Sequence, residues 1–268
     1  MRGHTLLGFL LLTALLLLAI LGPLIAMSPY AQADLLQDAL LSPSRAHWFG
    51  TDQFARDVFA RVAWGARNSL AVATIAVSIA TALGAAIGLA AGGRDGVLGG
   101  MFRRIIDVGL ALPRIIVLLV LIAATGKLGV VQLAIVIGLT GWPGIARLVR
   151  GETLRLRHAS YVVAARALGA TRVRVLLREI FPGTLAPVLV AATLGVADAI
   201  LLEAGLSFLG LGLPQPEPSW GGMLLEARDV LGRAPWLLYF PAATLVAATS
   251  AATLLGDALR RILQPDTR

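Results

Sequence analysis

Two stretches without a charged residue set the terms for this chain. Thr5 to Met27 is 23 residues long and holds 11 leucines, and Asn68 to Gly93 is also free of charge. About 20 apolar residues in a helix cross the ~30 Å hydrocarbon core of a bilayer. Four more apolar stretches follow, near Ile105 to Thr125, Leu128 to Ala146, Gly183 to Ala204 and Pro235 to Gly256. Within lipid every backbone N–H and C=O must be satisfied by the chain itself, which makes these segments helices. The expectation is an all-α polytopic membrane protein with six transmembrane helices.

Composition agrees, with 57% hydrophobic and only 14% charged residues, far from an average soluble domain. The first span has a rival reading as a cleaved signal peptide, since Arg2 precedes it and Ala31-Gln32-Ala33 resembles a cleavage site. Its apolar run exceeds the roughly 7 to 15 residues of a signal core, which favours a retained helix. The absence of cysteine excludes disulfides, thiolate metal sites and cysteine nucleophiles, and His4, His47 and His158 are too scattered for a metal cluster.

Between the first two spans lies a polar segment. Asp52 is expected to cap a helix on which Phe54, Val58 and Val62 recur every fourth residue, with Asp57 and Arg61 as an i, i+4 pair. That pattern reads as an interfacial helix lying on the bilayer. The second span, Ser69 to Ala91, carries small residues at Ala76, Ala80, Gly84, Gly88 and, just beyond it, Gly92, a stripe for close helix packing. Asp107, Pro113 and Arg114 interrupt the third span, and the proline predicts a kink. Arg114 is expected to snorkel or to face a polar interior. The fourth span is expected to end near Trp142-Pro143.

Six spans divide the basic residues unevenly. Fifteen arginines, from Arg2 to Arg268, fall on one side, and seven basic residues, including Lys127, on the other. The positive-inside rule puts both termini in the cytoplasm. It also explains the net charge of +8 without a nucleic-acid partner, because no basic stripe with interleaved aromatics is present.

One cytoplasmic segment stands out, Tyr161 to Pro182, YVVAARALGATRVRVLLREIFP. Gly169 is expected to break it into two short helices and Thr171 to cap the second. Tyr161, Ala164, Ala165 and Leu168 share one face; Val173, Leu176, Leu177 and Ile180 form the next stripe, with Arg172, Arg174 and Arg178 on other faces. Spacing alone leaves two readings, a loop lying on anionic lipid or a plug for a groove on a partner.

Catalytic patterns are missing. The sequence has no GxxxxGK[ST], HExxH or GxSxG. Asp198 and Glu203 lie five apart, not on one helix face, and read as ordinary polar residues near an interface. No enzyme is expected.

The Tyr161 to Pro182 segment, with Ala164-Ala165, Gly169 and Pro182, resembles the EAA loop of the inner-membrane permease subunits of bacterial ABC importers. Gly50-Thr51-Asp52, Arg56-Asp57 and Gly65-Ala66-Arg67 are similar to the segment after the first helix in the peptide and nickel importer permeases. Ser207-Phe208-Leu209-Gly210-Leu211-Gly212, Pro218-Ser219-Trp220-Gly221, Ala234-Pro235-Trp236 and Leu255-Gly256-Asp257 resemble that subfamily's C-terminal half. The nearest likeness is to the C-type permease of dipeptide and oligopeptide systems.

The resemblance implies a non-catalytic subunit in a bacterial inner membrane, working by alternating access. Its partners would be a second permease, two cytoplasmic ATPases that bind ATP and Mg, and an extracytoplasmic binding protein; this chain would bind no cofactor. Residues 1–68 would form an N-terminal helix and extracytoplasmic loop, and residues 69–268 the permease core. Val163, Arg166 and Ala170 join the residues named above as the ATPase-coupling loop, while Gly50 to Asp57 and Ser207 to Trp220 would be extracytoplasmic. Two positions depart from the pattern: Val163 replaces the usual glutamate before the two alanines, and Ala55 the usual glycine before Arg56-Asp57. The first puts a polar contact to the ATPase in question. Nickel-chelate and glutathione importers use similar permeases, and a self-contained secondary transporter is the alternative of a different class.

Overall fold

The structure, a computed structural model, describes residues 2–26 and 28–263; Met27 and Arg268 lie outside them, as does the side chain of Arg2. The described residues form helices and turns with one isolated bridge, Thr51 to Asp57. The helices are α1 (Arg2–Ile25), α2 (Val58–Gly93), α3 (Gly96–Ala111), α4 (Arg114–Thr125), α5 (Val130–Leu156) and α6 (Ser160–Ala167). Then come α7 (Arg172–Arg174), a π-helical stretch (Val175–Ile180), α8 (Phe181–Phe208), α9 (Trp220–Ala227) and α10 (Trp236–Leu263). Five are long and apolar enough to cross a membrane, with α7 to α8 counted as one, and α3 with α4 makes a sixth if the bent pair is one span.

Two prolines behave differently from expectation. At Pro113 the chain breaks, and α3 and α4 meet at 84°. Proline offers no N–H and crowds the residue before it out of the helical region, and Leu112 is indeed extended, at φ −86° and ψ 129°. Pro143 does not end its helix, and α5 runs on to Leu156. The Pro143 ring lies against Gly109 of α3, where an added Cβ would sit 2.8 Å from its Cγ.

The chain divides into two compact units. The first comprises residues 1–75, 122–134 and 196–255, and the second 76–121, 135–195 and 256–268. In the first, Val58 and Val62 of α2 pack with Met223, Ala227, Ala234 and Leu237, and Phe49 stacks on Phe240 at 3.8 Å. No separate interfacial helix forms. Residues 51–57 fold as turns and α2 starts at Val58, because Asp57 Oδ1 accepts from Ala60 N at 2.8 Å and caps that end.

In the second unit, the small-residue stripe of α2 meets α5. A Cβ on Gly84, Gly88 or Gly92 would lie 2.7 Å or less from Ile145, from Ala146 and Val149, or from Thr153. Steps of four along α2 face steps of three to four along α5, the spacing by which one helix seats on another.

Candidate functional site

The coupling segment of the second unit is built on a core of Leu89, Val149, Leu156, Val162, Val175, Ile180 and Val188. After α5, the chain enters α6, whose Val162 points inward while Tyr161, Val163, Ala164 and Leu168 are exposed and Ala165 is half-buried. Gly169 ends α6 at φ +85°. Its N–H donates to Arg166 O at 3.0 Å and that of Ala170 to Ala165 O at 3.1 Å, the paired bonds of a helix stop that needs a left-handed residue. Thr171 Oγ1 then accepts from Arg174 N at 3.3 Å and caps the next helix.

Beyond the cap the register departs from a plain α-helix. Val175 and Ile180, five residues apart, are both buried, because a π-helical turn bonds i to i+5 and brings that pair to one side. The expected stripe is therefore split: Ile180 is buried and Leu176 half-buried, but Val173 and Leu177 are exposed. Pro182 is exposed where the π-helical stretch runs directly into α8. Tyr161 donates across the turn to Glu179 O at 3.3 Å, tying the two halves together.

An ion pair lies beside this segment. Arg157 Nη1 donates to Asp95 Oδ1 at 2.9 Å and to Gly92 O at 3.0 Å. The hydrogen-bonded guanidinium holds the exposed Asp95 carboxyl below the usual carboxylate range, with Arg172 and Arg166 adding to the effect. Asp95 in turn raises Arg157.

The second group of motif residues belongs to the first unit and is mostly buried. Arg56 and Arg61 are 4% and 1% exposed. Arg56 Nε pairs with Asp52 Oδ2 at 2.7 Å and its Nη2 with Glu226 Oε2 at 3.0 Å; Arg61 Nη2 reaches Glu226 Oε1 at 2.9 Å. Asp52 Oδ1 also accepts from the backbone N–H of Phe54 and Arg56, so its carboxylate folds a turn instead of capping a helix. The expected Asp57–Arg61 pair does not form, because Asp57 bonds His47 at 2.9 Å while Arg61 turns to Glu226. Thr51 Oγ1 donates to Asp38 O, and its carbonyl accepts from Trp236 Nε1 at 3.2 Å. Gly50 sits at φ +78° beside Trp236.

Glu203 corrects the sequence reading most plainly. It is fully buried, not interfacial, and its carboxylate accepts from Ser69 Oγ at 2.9 Å and Ser207 Oγ at 2.7 Å. Ser219 lies 3.2 Å from Ser207, and Trp220 donates from Nε1 to Val62 O at 3.3 Å. Gly210, at φ +78°, closes α8 with the same paired bonds seen at Gly169. Gly212 fits against Ser207, where a Cβ would clash, and Phe208 is exposed.

Sequence reasoning missed Glu226, Glu203 and the Asp95–Arg157 pair. Glu203 carried one signal, a carboxylate inside an apolar run with a serine one turn on. Among the described residues no group of three or more His, Asp or Glu is placed to hold a metal.

A family model described as the binding-protein-dependent transport system inner membrane component matches residues 84–268. The dipeptide transport system permease protein DppC of Alkalihalophilus pseudofirmus is 38% identical over 258 residues, covering 96% of this chain and 84% of that protein. A putative peptide permease of Brucella suis biovar 1 is 44% identical over 266 residues, 96% and 85% of the two chains. The glutathione transport system permease protein GsiD of Escherichia coli O6:K15:H31 is 41% identical over 223 residues, 83% and 73%.

Proposed function

Because the chain belongs to the family of binding-protein-dependent transport system inner membrane components, we propose that it is the permease of an ATP-driven importer of dipeptides or oligopeptides. Membership makes it a multi-pass inner-membrane transport subunit. Its partners include a substrate-binding protein and ATPase subunits, and ATP hydrolysis is theirs. The peptide assignment is supported by two of the relatives, one a dipeptide transport system permease and the other a putative peptide permease.

The observation that carries the mechanism is the exposed apolar face of the coupling segment. Val163, Leu168, Val173 and Leu177 are exposed around a glycine-broken turn that itself rests on a packed core. Residues Tyr161 to Pro182 dock in a cleft of a cytoplasmic ATPase, and both chain termini share that side. Closure of the ATPase dimer on ATP moves the segment, and the permease pair switches between its two faces as a bistable assembly. A second, related permease completes the pathway, residues 69–268 forming this chain's core and 1–68 its N-terminal helix and extracytoplasmic loop. Val163 makes the contact apolar where a glutamate would make it polar.

A second reading, a glutathione permease, is favoured by the similarity to GsiD. Affinity purification of the tagged chain in mild detergent tests the function. A stable complex with a second permease and P-loop ATPases is the expected result, and ligand binding to the cognate binding protein then separates peptide from glutathione. A solitary chain that transports in liposomes without ATP would replace the importer with a secondary transporter. Gly169→Asp should abolish uptake at normal membrane levels: its side chain meets no neighbour within the fold, but the backbone at φ +85° disfavours any side chain and the charge falls on the docking turn. Undiminished uptake would place the ATPase contact elsewhere.

A further inference from the structure

Behind the coupling segment is a cavity of about 250 Å³ bordered by Asp95, Arg157, Arg166 and Arg172 and floored by Leu176 and Ile180. We propose that it is a headgroup site for an anionic phospholipid, an inference that rests on the cytoplasmic placement of the segment.

Charge is the first argument. Three arginines surround one carboxylate, and that carboxylate is already engaged by Arg157. Arg166 and Arg172 are exposed and make no hydrogen bond or ion pair with the described residues, and Arg157 Nε is buried without a hydrogen bond. A phosphate bearing net negative charge supplies the acceptors these planar donors lack. Size is the second. The cavity falls short of the roughly 300 to 1,000 Å³ that drug-sized ligands occupy, so it suits a headgroup and not a whole nucleotide.

Depth selects the lipid. The charge-free run of α2 from Asn68 to Gly93 extends about 39 Å, against ~30 Å of hydrocarbon and ~40–45 Å with headgroups. Gly93 therefore lies near headgroup level, and Gly93 lines the cavity. Next to Asp95 in the chain, Val97 and Leu98 are exposed apolar residues, which acyl chains would cover. The anion so held sits against Leu176, which rests on Gly93, so the lipid braces the turn that meets the ATPase.

The test is native mass spectrometry of the delipidated full chain, with whatever subunits copurify, titrated with phosphatidylglycerol or phosphatidylcholine. Phosphatidylglycerol should bind at least ten times more tightly than phosphatidylcholine. Replacing both Arg166→Gln and Arg172→Gln should weaken it by about 30-fold, the loss expected for two basic groups at a membrane surface. Arg166→Lys with Arg172→Lys should restore only part of it, because the charge returns without the planar fork, and millimolar inorganic phosphate should not displace it. Equal retention by the glutamine variant, equal binding of the two lipids, or displacement by free phosphate would overturn the site. Lipid binding is read on this chain itself, so its failure in an assembled complex counts against the cavity alone. Absence of the ATPases counts against the functional reading.

Discussion

The Asp52–Arg56–Arg61–Glu226 cluster and the Tyr161–Pro182 segment both bring together arginines and motif residues, yet they treat them in opposite ways. In the cluster, Asp52 and two arginines are buried, Glu226 is half-buried, and the four are paired at distances down to 2.7 Å. In the segment, Leu168 is 89% and Val173 66% exposed, and Arg166 and Arg172 line an open cavity. Ion pairing of all four members, with Arg61 Nη1 buried and left without a hydrogen bond, marks a motif that maintains its own unit. An apolar face left open on a rigid base marks one that a partner completes. Conserving charge through burial is costly in desolvation, whereas the exposed segment pays that cost only when docked.

Breaking the cluster should have the largest effect. Glu226→Gln leaves Arg56 and Arg61 buried with one carboxylate between them, and removing one partner of a buried ion pair costs about 3–5 kcal/mol. A fall of many degrees in the unfolding midpoint in detergent is expected. A shift no larger than that of a surface mutation would mean that the cluster is not what holds its unit.

Gly88→Val comes next and asks whether the second unit has an equally rigid part. The added Cβ would sit 2.5 Å from Ala146 O and 2.7 Å from Val149 Cβ, and overpacking of this kind costs about 1–3 kcal/mol. The loss should appear as a lower midpoint. Little change would show that α2 and α5 separate easily there, and would weaken the claim that the coupling segment stands on a firm base.

Leu168→Ser with Val173→Ser sharpens the contrast. Both side chains are exposed, so stability should move by no more than about 0.5 kcal/mol, while copurification of the ATPases should be lost. Normal copurification would remove the docking face from the comparison.

These contrasts explain what was legible in the sequence. The charge-free run to Gly93, the small-residue stripe, the Gly169 stop and the Thr171 cap are local: each follows from residues within a few turns. Pro113 was read as a kink because the severity of a proline break depends on the packing around it. The Val173 stripe failed because a π turn changes the period from inside the element. Glu226 left no local trace, since its partners Arg56 and Arg61 lie 170 and 165 positions away. The Asp57–Arg61 pair fitted helical spacing, but the chain between Thr51 and Asp57 spends its hydrogen bonds on turns.

The smallest effect is expected at Asp95, the exposed counterpart of the buried carboxylates. Arg157 holds its carboxyl below the usual range, near 3.9 for an unfolded aspartate. A depressed folded value means that the ionised carboxylate favours the fold above that pH. The contribution fades as pH falls through the lower folded value. Between pH 5 and 8 the unfolding midpoint should therefore show no slope from this group, and Asp95→Asn should lie close to the parent protein because solvent screens the exposed Asp95 carboxylate, although Arg157 is largely covered. Any gap should begin to narrow below about pH 4 and close only once the pH has passed the lower folded value, where the parent carboxyl also gains its proton. Midpoints measured for both proteins across that range check this. A gap at pH 7 comparable to that of Glu226→Gln would mean that the exposed Asp95 carboxylate beside the segment bears as much weight as the buried cluster, and the division between self-maintaining and partner-completed motifs would fail.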